Sequence, residues 1–490
     1  MVIQASVEVG LTNRGAMGNA PKHRQAPPLW QQLQAVAIVL VSVRAGKSWS
    51  TAQNDVDPTL RAGIQALSFT VLRNLGCAQV VRDLLVKRSP PAAADALLCV
   101  ALGLTLTNSG ASSGSVDVSA SPAYDAHTLV NQAVEAAKRN PATYPQAGFL
   151  NGCLRRYLRE KDALLIQAQQ KPQARWNHPA WWVARLQKDH PTQWQMVLHA
   201  NATQAPLTLR INATKTSQEA YLSALSAMNL EAIPVVKNGL QLAHSTYVPD
   251  LPGYLDGWFS VQDAAAQVAA PLLLQNFADR AKTQSLSPSS PSAKPAGVLR
   301  VLDACAAPGG KTAHLLEFAS THNLAAQITA LDIDAVRCER IHENLQRLGL
   351  QANVVVADAA NPDGWWDGVQ FDAVLLDAPC TASGIVRRYP DVRWLRRESD
   401  IAQLAAQQKR LLGAMWPLLV SGGQMLYCTC SVFLSEGQSQ VQAFLAHNKD
   451  AVLLPSPGHL LPQKGAEQGG MLDNDLGGHD GFYYALLQKK

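Results

Sequence analysis

No CxxC pair occurs in this chain, and no cysteine stands near a histidine at metal-ligand spacing, so metal chemistry is not expected. Eight cysteines scattered over 490 residues also do not make a disulfide scaffold, which leaves a chain of free thiols. No apolar run is long enough to span a bilayer. The longest near the start, from Ala35 through Val41, is flanked by glutamines and Arg44 rather than by a cleavage site, so a soluble, cytoplasmic protein is expected. A GxGxxG fingerprint is missing, which disfavours a dinucleotide. Charge is sparse, at 16% of residues with a net +5, and this basic lean is compatible with a polyanionic partner without demonstrating one.

What is present is length enough for two or three domains, each with its own core. Residues 1–26 have no hydrophobic period and are expected to be a disordered leader. From Leu29 the pattern turns helical: Leu29, Leu33, Val36, Leu40 and Val43 recur in steps of four and three. Further helices are expected at 64–72, 93–104, 129–137 and 149–158, making an all-helical domain over 27–165, with a Ser/Gly-rich loop at 108–121. A small α+β module is expected over 176–268. In it the strand 207–212, a helix over 217–228 and the strand 232–236 follow a tryptophan cluster read as packing.

From Val298 short apolar runs alternate with helical stretches, the signature of a parallel sheet with helices on both faces. Strands are expected at 298–302, 328–331, 354–356, 373–376 and 424–427, and helices at 312–319, 336–348 and 401–419. This third domain covers 269–490, with a Ser/Pro-rich insert at about 283–297. Asp303, Asp332, Asp358, Asp377 and Cys430 all fall at carboxyl ends of these strands, where ligands sit in such sheets.

The turn Cys305-Ala306-Ala307-Pro308-Gly309-Gly310-Lys311 opens a helix. Its glycines admit close approach of a ligand, and the helix start offers free N–H donors. Asp332 follows Gly310 by 22 residues, a spacing that suits ribose hydroxyls, while Asp358 is placed to meet an adenine amine. A P-loop NTPase is the rival reading. It needs a glycine where Cys305 stands, and it gives Cys380 and Cys430 no purpose.

The two thiols point to covalent activation of a pyrimidine. A thiolate added to C6 makes C5 nucleophilic, and the C5 proton must later leave with help from a base. Cys430 and Cys380 can divide these tasks, and Asp377 is placed to hydrogen-bond N3 or the amino edge. Cys77, Cys99, Cys153, Cys305 and Cys338 read instead as small buried hydrophobes. Cys428 shares a strand face with Cys430 by alternation and is a further candidate. Arg387, Arg388, Arg393, Arg396 and Arg397, interleaved with Tyr389 and Trp394, read as RNA contacts.

Several segments together resemble the RNA cytosine-C5 methyltransferases, more narrowly the bacterial small-subunit (16S) rRNA family called RsmB, Sun or Fmu. They are the run from Asp303 to Thr312, Leu331-Asp332-Ile333-Asp334, Asp377-Ala378-Pro379-Cys380 with Ser383-Gly384, and Thr429-Cys430-Ser431. The resemblance implies a NusB-like helical RNA-binding domain, a Rossmann-like methyltransferase domain and S-adenosyl-L-methionine as cofactor. It makes Cys430 the nucleophile and Cys380 the group that assists release. The cofactor positions it implies are Cys305 through Lys311, Asp332, Asp358 and Asp377. The expected partner is small-subunit ribosomal RNA, bound by a monomer without metal or membrane. The alternatives are a tRNA cytosine-C5 methyltransferase and a non-catalytic NusB-like assembly factor.

Overall fold

The structure, a computed structural model, describes residues 27–106, 124–286, 297–462 and 478–490. The expected leader and the loop expected at 108–121 lie outside these residues. Two compact units are present: one runs through Ala202 and includes Arg388–Arg397, and the other comprises Thr203–Arg387 with Glu398–Lys490.

The first unit is all helical: α1 (Leu29–Arg44), α2 (Trp49–Ala52), α3 (Arg61–Leu85), α4 (Ala92–Thr105), α5 (Ala126–Lys138), α6 (Ala147–Ala168), α7 (Pro172–Trp176), α8 (Ala180–Asp189) and α9 (Trp194–Ala202). In α1 the stripe Leu33, Val36, Leu40 and Val43 is buried as its period requires, and Ala35, Ala37 and Val39 are buried beside it. The unit continues beyond residue 165, through Ala202, with Ala168 and Ala174 still part of its core. Trp176 and Trp194 meet edge to face at 5.1 Å, so these aromatics pack, as expected. A short helix from far along the chain, α14 (Val392–Leu395), completes the unit; Trp394 Nε1 donates to the Leu72 carbonyl at 2.8 Å.

The second unit contains two sheets. The smaller has four strands in the order β2-β3-β1-β4: β1 (Leu207–Ile211), β2 (Ala232–Val236), β3 (Gly239–Leu242) and β4 (Phe259–Val261), with α10 (Gln218–Ala227) after β1. The larger has eight strands: β5 (Leu299–Ala304), β6 (Ala326–Asp332), β7 (Asn353–Val356), β8 (Phe371–Asp377), β9 (Leu419–Thr429), β10 (Ala451–Leu453), β11 (Gly458–Leu460) and β12 (Phe482–Lys489). Its order is β10-β12-β9-β8-β5-β6-β7, with β11 paired to β12. Strands β5 to β9 are parallel, as the alternation of runs implies. The expectation of a wholly parallel sheet is corrected by β12, which runs antiparallel to β9. It is buried along six of its eight residues, so it reads as one apolar run without alternation.

Helices cover both faces of this sheet. On one face α15 (Glu398–Met415) and α16 (Gln438–His447) bury Leu411, Leu412, Met415, Val441 and Phe444 against Leu302, Val374 and Met425. On the other, α12 (Gly310–Thr321) and α13 (Ala335–Leu348) place Ala313, Ile341, Leu345 and Leu348 against Ala330. In α13 the Asp334 side chain caps the first turn and Gly349, at φ +69°, ends the helix. Helix α11 (Ala269–Leu286) continues to Leu286, so the insert expected from residue 283 begins as helix, and 287–296 lie outside the described residues.

Arg210 on β1 fixes the small sheet to α12. Its fully buried guanidinium reaches both oxygens of Glu317, at 3.0 and 2.9 Å, and the Gly310 carbonyl at 3.0 Å. A bidentate pair of this kind holds the start of α12, and with it the glycine turn, in one orientation.

Candidate active site

Strand order reverses between β5 and β8: the chain runs outward through β6 and β7, then returns to pair β8 on the other side of β5. The crevice outside the carboxyl ends of strands at such a reversal is where ligands bind in this architecture. The turn 305–311 follows β5, Asp377 ends β8, and the two cysteine tips follow β8 and β9.

The turn is built by its own backbone and by Asp332. Gly309 takes φ +94° at the cap of α12, where a Cβ would lie 3.1 Å from Ile341. Asp332 accepts from the Ala307 N–H at 3.0 Å and from Asp334 N at 3.2 Å, and Arg337 Nη2 donates to the Ala307 carbonyl at 2.7 Å. Asp332 thus braces the turn from a buried position. Asp358 accepts from Ala360 N at 2.9 Å in the turn after β7. Cys305 takes φ +64° at the head of the loop, and burial together with nearby Asp332, Asp377 and Asp303 holds its thiol above the ordinary range.

Asp303 is fully buried and accepts from Thr312 Oγ1 at 2.6 Å, while its other oxygen has no partner. Burial pushes its pKa up to about 7. Lys311 Nζ lies 2.6 Å from Asp377 Oδ2 and 5.5 Å from the Phe482 ring centre. Burial is the largest single influence and works against its charge, but Asp377 together with the nearby Cys428 and Cys430 sulfurs raises the ammonium above its ordinary range.

Parallel register sets Asp377 opposite Cys428, so β8 and β9 end together and their following loops meet. Cys380 and Cys430 come within 3.4 Å, sulfur to sulfur, with Cys380 buried and Cys430 half-buried. Cys428 is fully buried with its sulfur 3.5 Å from Asp377 Oδ1, so it reaches this acid rather than the thiol pair. The hydrogen bond with Cys430, then burial, hold the Cys380 thiol well above its ordinary value and keep its proton in place.

The arginines are corrected by burial. Arg387 is fully buried, bonded through Nε to Asp480 and through Nη2 to the Gly478 carbonyl at 3.0 Å, with Asp263 at 3.7 Å. Arg393 is equally buried in the helical unit, donating to the carbonyls of Asn177 at 3.2 Å and Asn201 at 2.8 Å. Arg396 is buried as well, whereas Arg388 is half-buried and Arg397 is exposed. Guanidinium groups buried in this way present no face to a phosphate, and clustering along the sequence does not reveal burial. Two contributors were not legible: Arg337 on the turn and Glu436 behind the thiol loops. Each acts through a partner distant in sequence. Among the described residues no cluster of His, Cys, Asp or Glu is placed to hold a metal, and no helix is long and apolar enough to cross a membrane.

A glycine turn and acidic strand ends in the reversal crevice of a mixed sheet define a methyltransferase of Rossmann-like fold. The fold is shared with the solved structure of PH0851, at TM-score 0.67 over 94% of this chain and 99% of that one, with 22% identity. Two family models match: "16S rRNA methyltransferase RsmB/F" over residues 293–488, and its ferredoxin-like domain over 178–249. Ribosomal RNA small subunit methyltransferase B of Vibrio cholerae is 40% identical over 374 residues, covering 74% of this chain and 77% of that protein. The enzyme of the same name from Pseudomonas syringae is 40% identical over 369 residues, with the same coverage. The chain belongs to the RsmB/F family of RNA methyltransferases.

Proposed function

We propose that this protein methylates C5 of a cytosine in small-subunit (16S) ribosomal RNA, in the cytoplasm, through a covalent bond between Cys430 and C6 of the base. The observation that carries the reading is the thiol pair, 3.4 Å apart beside Asp377 and Lys311.

The residues of the crevice fit S-adenosylmethionine. The unpartnered oxygen of Asp303 and the carboxylates of Asp332, Asp358 and Asp377 suit a cationic nucleoside, not a pyrophosphate. Ile333, 67% exposed directly after Asp332, offers an apolar surface for a purine. The turn Cys305–Lys311 with Asp332, Asp358 and Asp377 would hold the cofactor, which supplies an electrophilic methyl group when bound.

Cys430 is the nucleophile, because its neighbour Cys380 keeps its own proton and can donate to the Cys430 sulfur. Addition of Cys430 to C6 raises electron density at C5. Asp377, held by Lys311, meets the N3 and amino edge of the base. As a carboxylate it accepts from the amine, and it stabilises the negative charge that develops toward N3 only if it carries a proton there. After methylation a base takes the C5 proton, the C5–H electron pair restores the C5–C6 double bond and Cys430 leaves as a thiolate. Cys380, still protonated, assists that release by donating to the departing sulfur. The helical unit serves as a NusB-like RNA-binding domain, and Arg388 and Arg397 remain proposed phosphate contacts.

The test is to map 5-methylcytosine in rRNA from cells with and without the protein, and after reaction of purified enzyme with rRNA and cofactor. One small-subunit cytosine should lose the mark without the protein and regain it in vitro. A mark confined to tRNA, or no methyl transfer at all, rejects the reading. Cys430→Ala should be inactive, and Cys380→Ala should accumulate an RNA–protein adduct visible as a retarded band in denaturing gels.

A further inference from the structure

Glu436 ends a short turn after β9 and is fully buried. A buried carboxylate is costly unless its oxygens are all satisfied, and none of its partners here is a cation. It accepts from Thr381 N at 2.9 Å, from Thr381 Oγ1, from Ser431 Oγ at 2.6 Å and from Gln408 Nε2 at 3.3 Å. Its carbonyl accepts from Tyr427 Oη at 2.8 Å and Thr429 Oγ1 at 3.3 Å. Thr381 directly follows Cys380, and Ser431 directly follows Cys430. One side chain therefore ties together the two loops that carry the thiols and, through its backbone, the end of the strand from which one of them emerges. A second link, Ser383 Oγ to Ser431 Oγ at 2.9 Å, lies beside it.

We propose that Glu436 is the positioning residue of the two-thiol centre: by clasping Thr381 and Ser431 it sets the gap between Cys380 and Cys430. The inference rests on the proposed methyl transfer for its catalytic consequence, but not for its geometry. A charged carboxylate suits the role because it only accepts hydrogen bonds and can therefore meet donors from both loops at once. A glutamine keeps one acceptor for the Thr381 N–H but turns the other oxygen into a donor, so the Thr381 and Ser431 hydroxyls must both reverse to accept and the clasp is rearranged.

The experiment uses the full chain and the variants Glu436→Gln, Ser431→Ala, Thr381→Val and Thr381→Ser. Steady-state methyl transfer is measured, and separately, without RNA or cofactor, the rate at which diamide closes a Cys380–Cys430 disulfide. In that closure the two thiols lose two protons and two electrons, and diamide is reduced to its hydrazine. Glu436→Gln should lower kcat by about tenfold to a hundredfold, as loosening of reacting groups does, with KM for RNA within about twofold. Its disulfide closure should slow by about fivefold or more, and Thr381→Ser should keep more of both rates than Thr381→Val. A folded Glu436→Gln with wild-type kcat and closure rate overturns the proposal. Should that variant not fold, Ser431→Ala, which removes one arm of the clasp, carries the same two outcomes. Wild-type protein without methyl transfer rejects the proposed function instead, and disulfide closure alone then decides the role of Glu436.

Discussion

Lys311 Nζ and Asp377 Oδ2 lie 2.6 Å apart across the crevice, joining the first turn of α12 to the end of β8. Their side chains are 13% and 20% exposed, so water screens the pair only weakly. Cys428 approaches the other oxygen of the same acid, so the carboxylate is held on two sides.

Removing either partner strands the other. Lys311→Met should lower the thermal midpoint, at a cost of about 1–3 kcal/mol, and should reduce methyl transfer by about a hundredfold. Adding Asp377→Asn to Lys311→Met should cost less stability than the two single losses summed. Thermal denaturation of the four proteins measures this; strict additivity would mean the two groups do not interact.

Asp303 makes stability depend on pH. Its carboxyl titrates at 3.8 in an unfolded chain and at about 7 when folded, because burial disfavours its charge. Between these values the folded protein holds a proton that the unfolded chain has lost. This contribution to stability is complete below about pH 4 and declines as pH rises through about 7. Asp303→Asn, which still accepts from Thr312, should lack the decline and exceed wild type above neutrality, by about 4 kcal/mol at most. Parallel stability curves of the two proteins from pH 5 to 8 would refute the assignment.

Gly384 has no room for a side chain: a Cβ there would stand 2.1 Å from the Gly481 carbonyl oxygen. The two glycines are backbone partners, with Gly481 N donating to Gly384 O at 2.8 Å. Gly384→Ala must push β12's entry away from the thiol loops. Loss of about 3 kcal/mol or more is expected, together with methyl transfer, and chemical denaturation checks it.

Arg393 and Arg397 should separate structure from RNA binding. Arg393→Gln should lower the thermal midpoint, since it removes donors from two buried carbonyls, while leaving the salt dependence of RNA binding unchanged. Arg397→Gln should reduce the salt slope of RNA binding by about 0.7 to 1. Titrations at several salt concentrations distinguish the two.

Local pattern made much of this protein legible. The parallel strands β5 to β9 carry short apolar runs between helical stretches, and the glycine turn falls where a strand gives way to a helix. Such signals depend only on neighbours along the chain. Element ends were less visible: α6 leaves helical geometry at Glu160 (φ −110°, ψ 16°), close to its expected end at 158, but a further helical stretch then runs on to Ala168. The antiparallel β12 was missed because a strand buried on both faces shows no alternation. The arginines misled for a related reason. A guanidinium looks the same in sequence whether it faces water or, like Arg387, a buried carboxylate.

The sequence by itself determined which groups are available: two cysteines following strand ends, a glycine turn, and acids at the tips of successive strands. Only the tertiary structure decided which of them meet. Strand reversal beside β5 brings residues 311 and 377 together, and the shared register of β8 and β9 brings 380 to 430. Buried hydrogen bonds donated to Glu436 by Thr381 and Ser431 then tie together the loops that carry those thiols. Pairings of this kind join residues distant along the chain, and their free energy comes from desolvation and packing that no local pattern encodes.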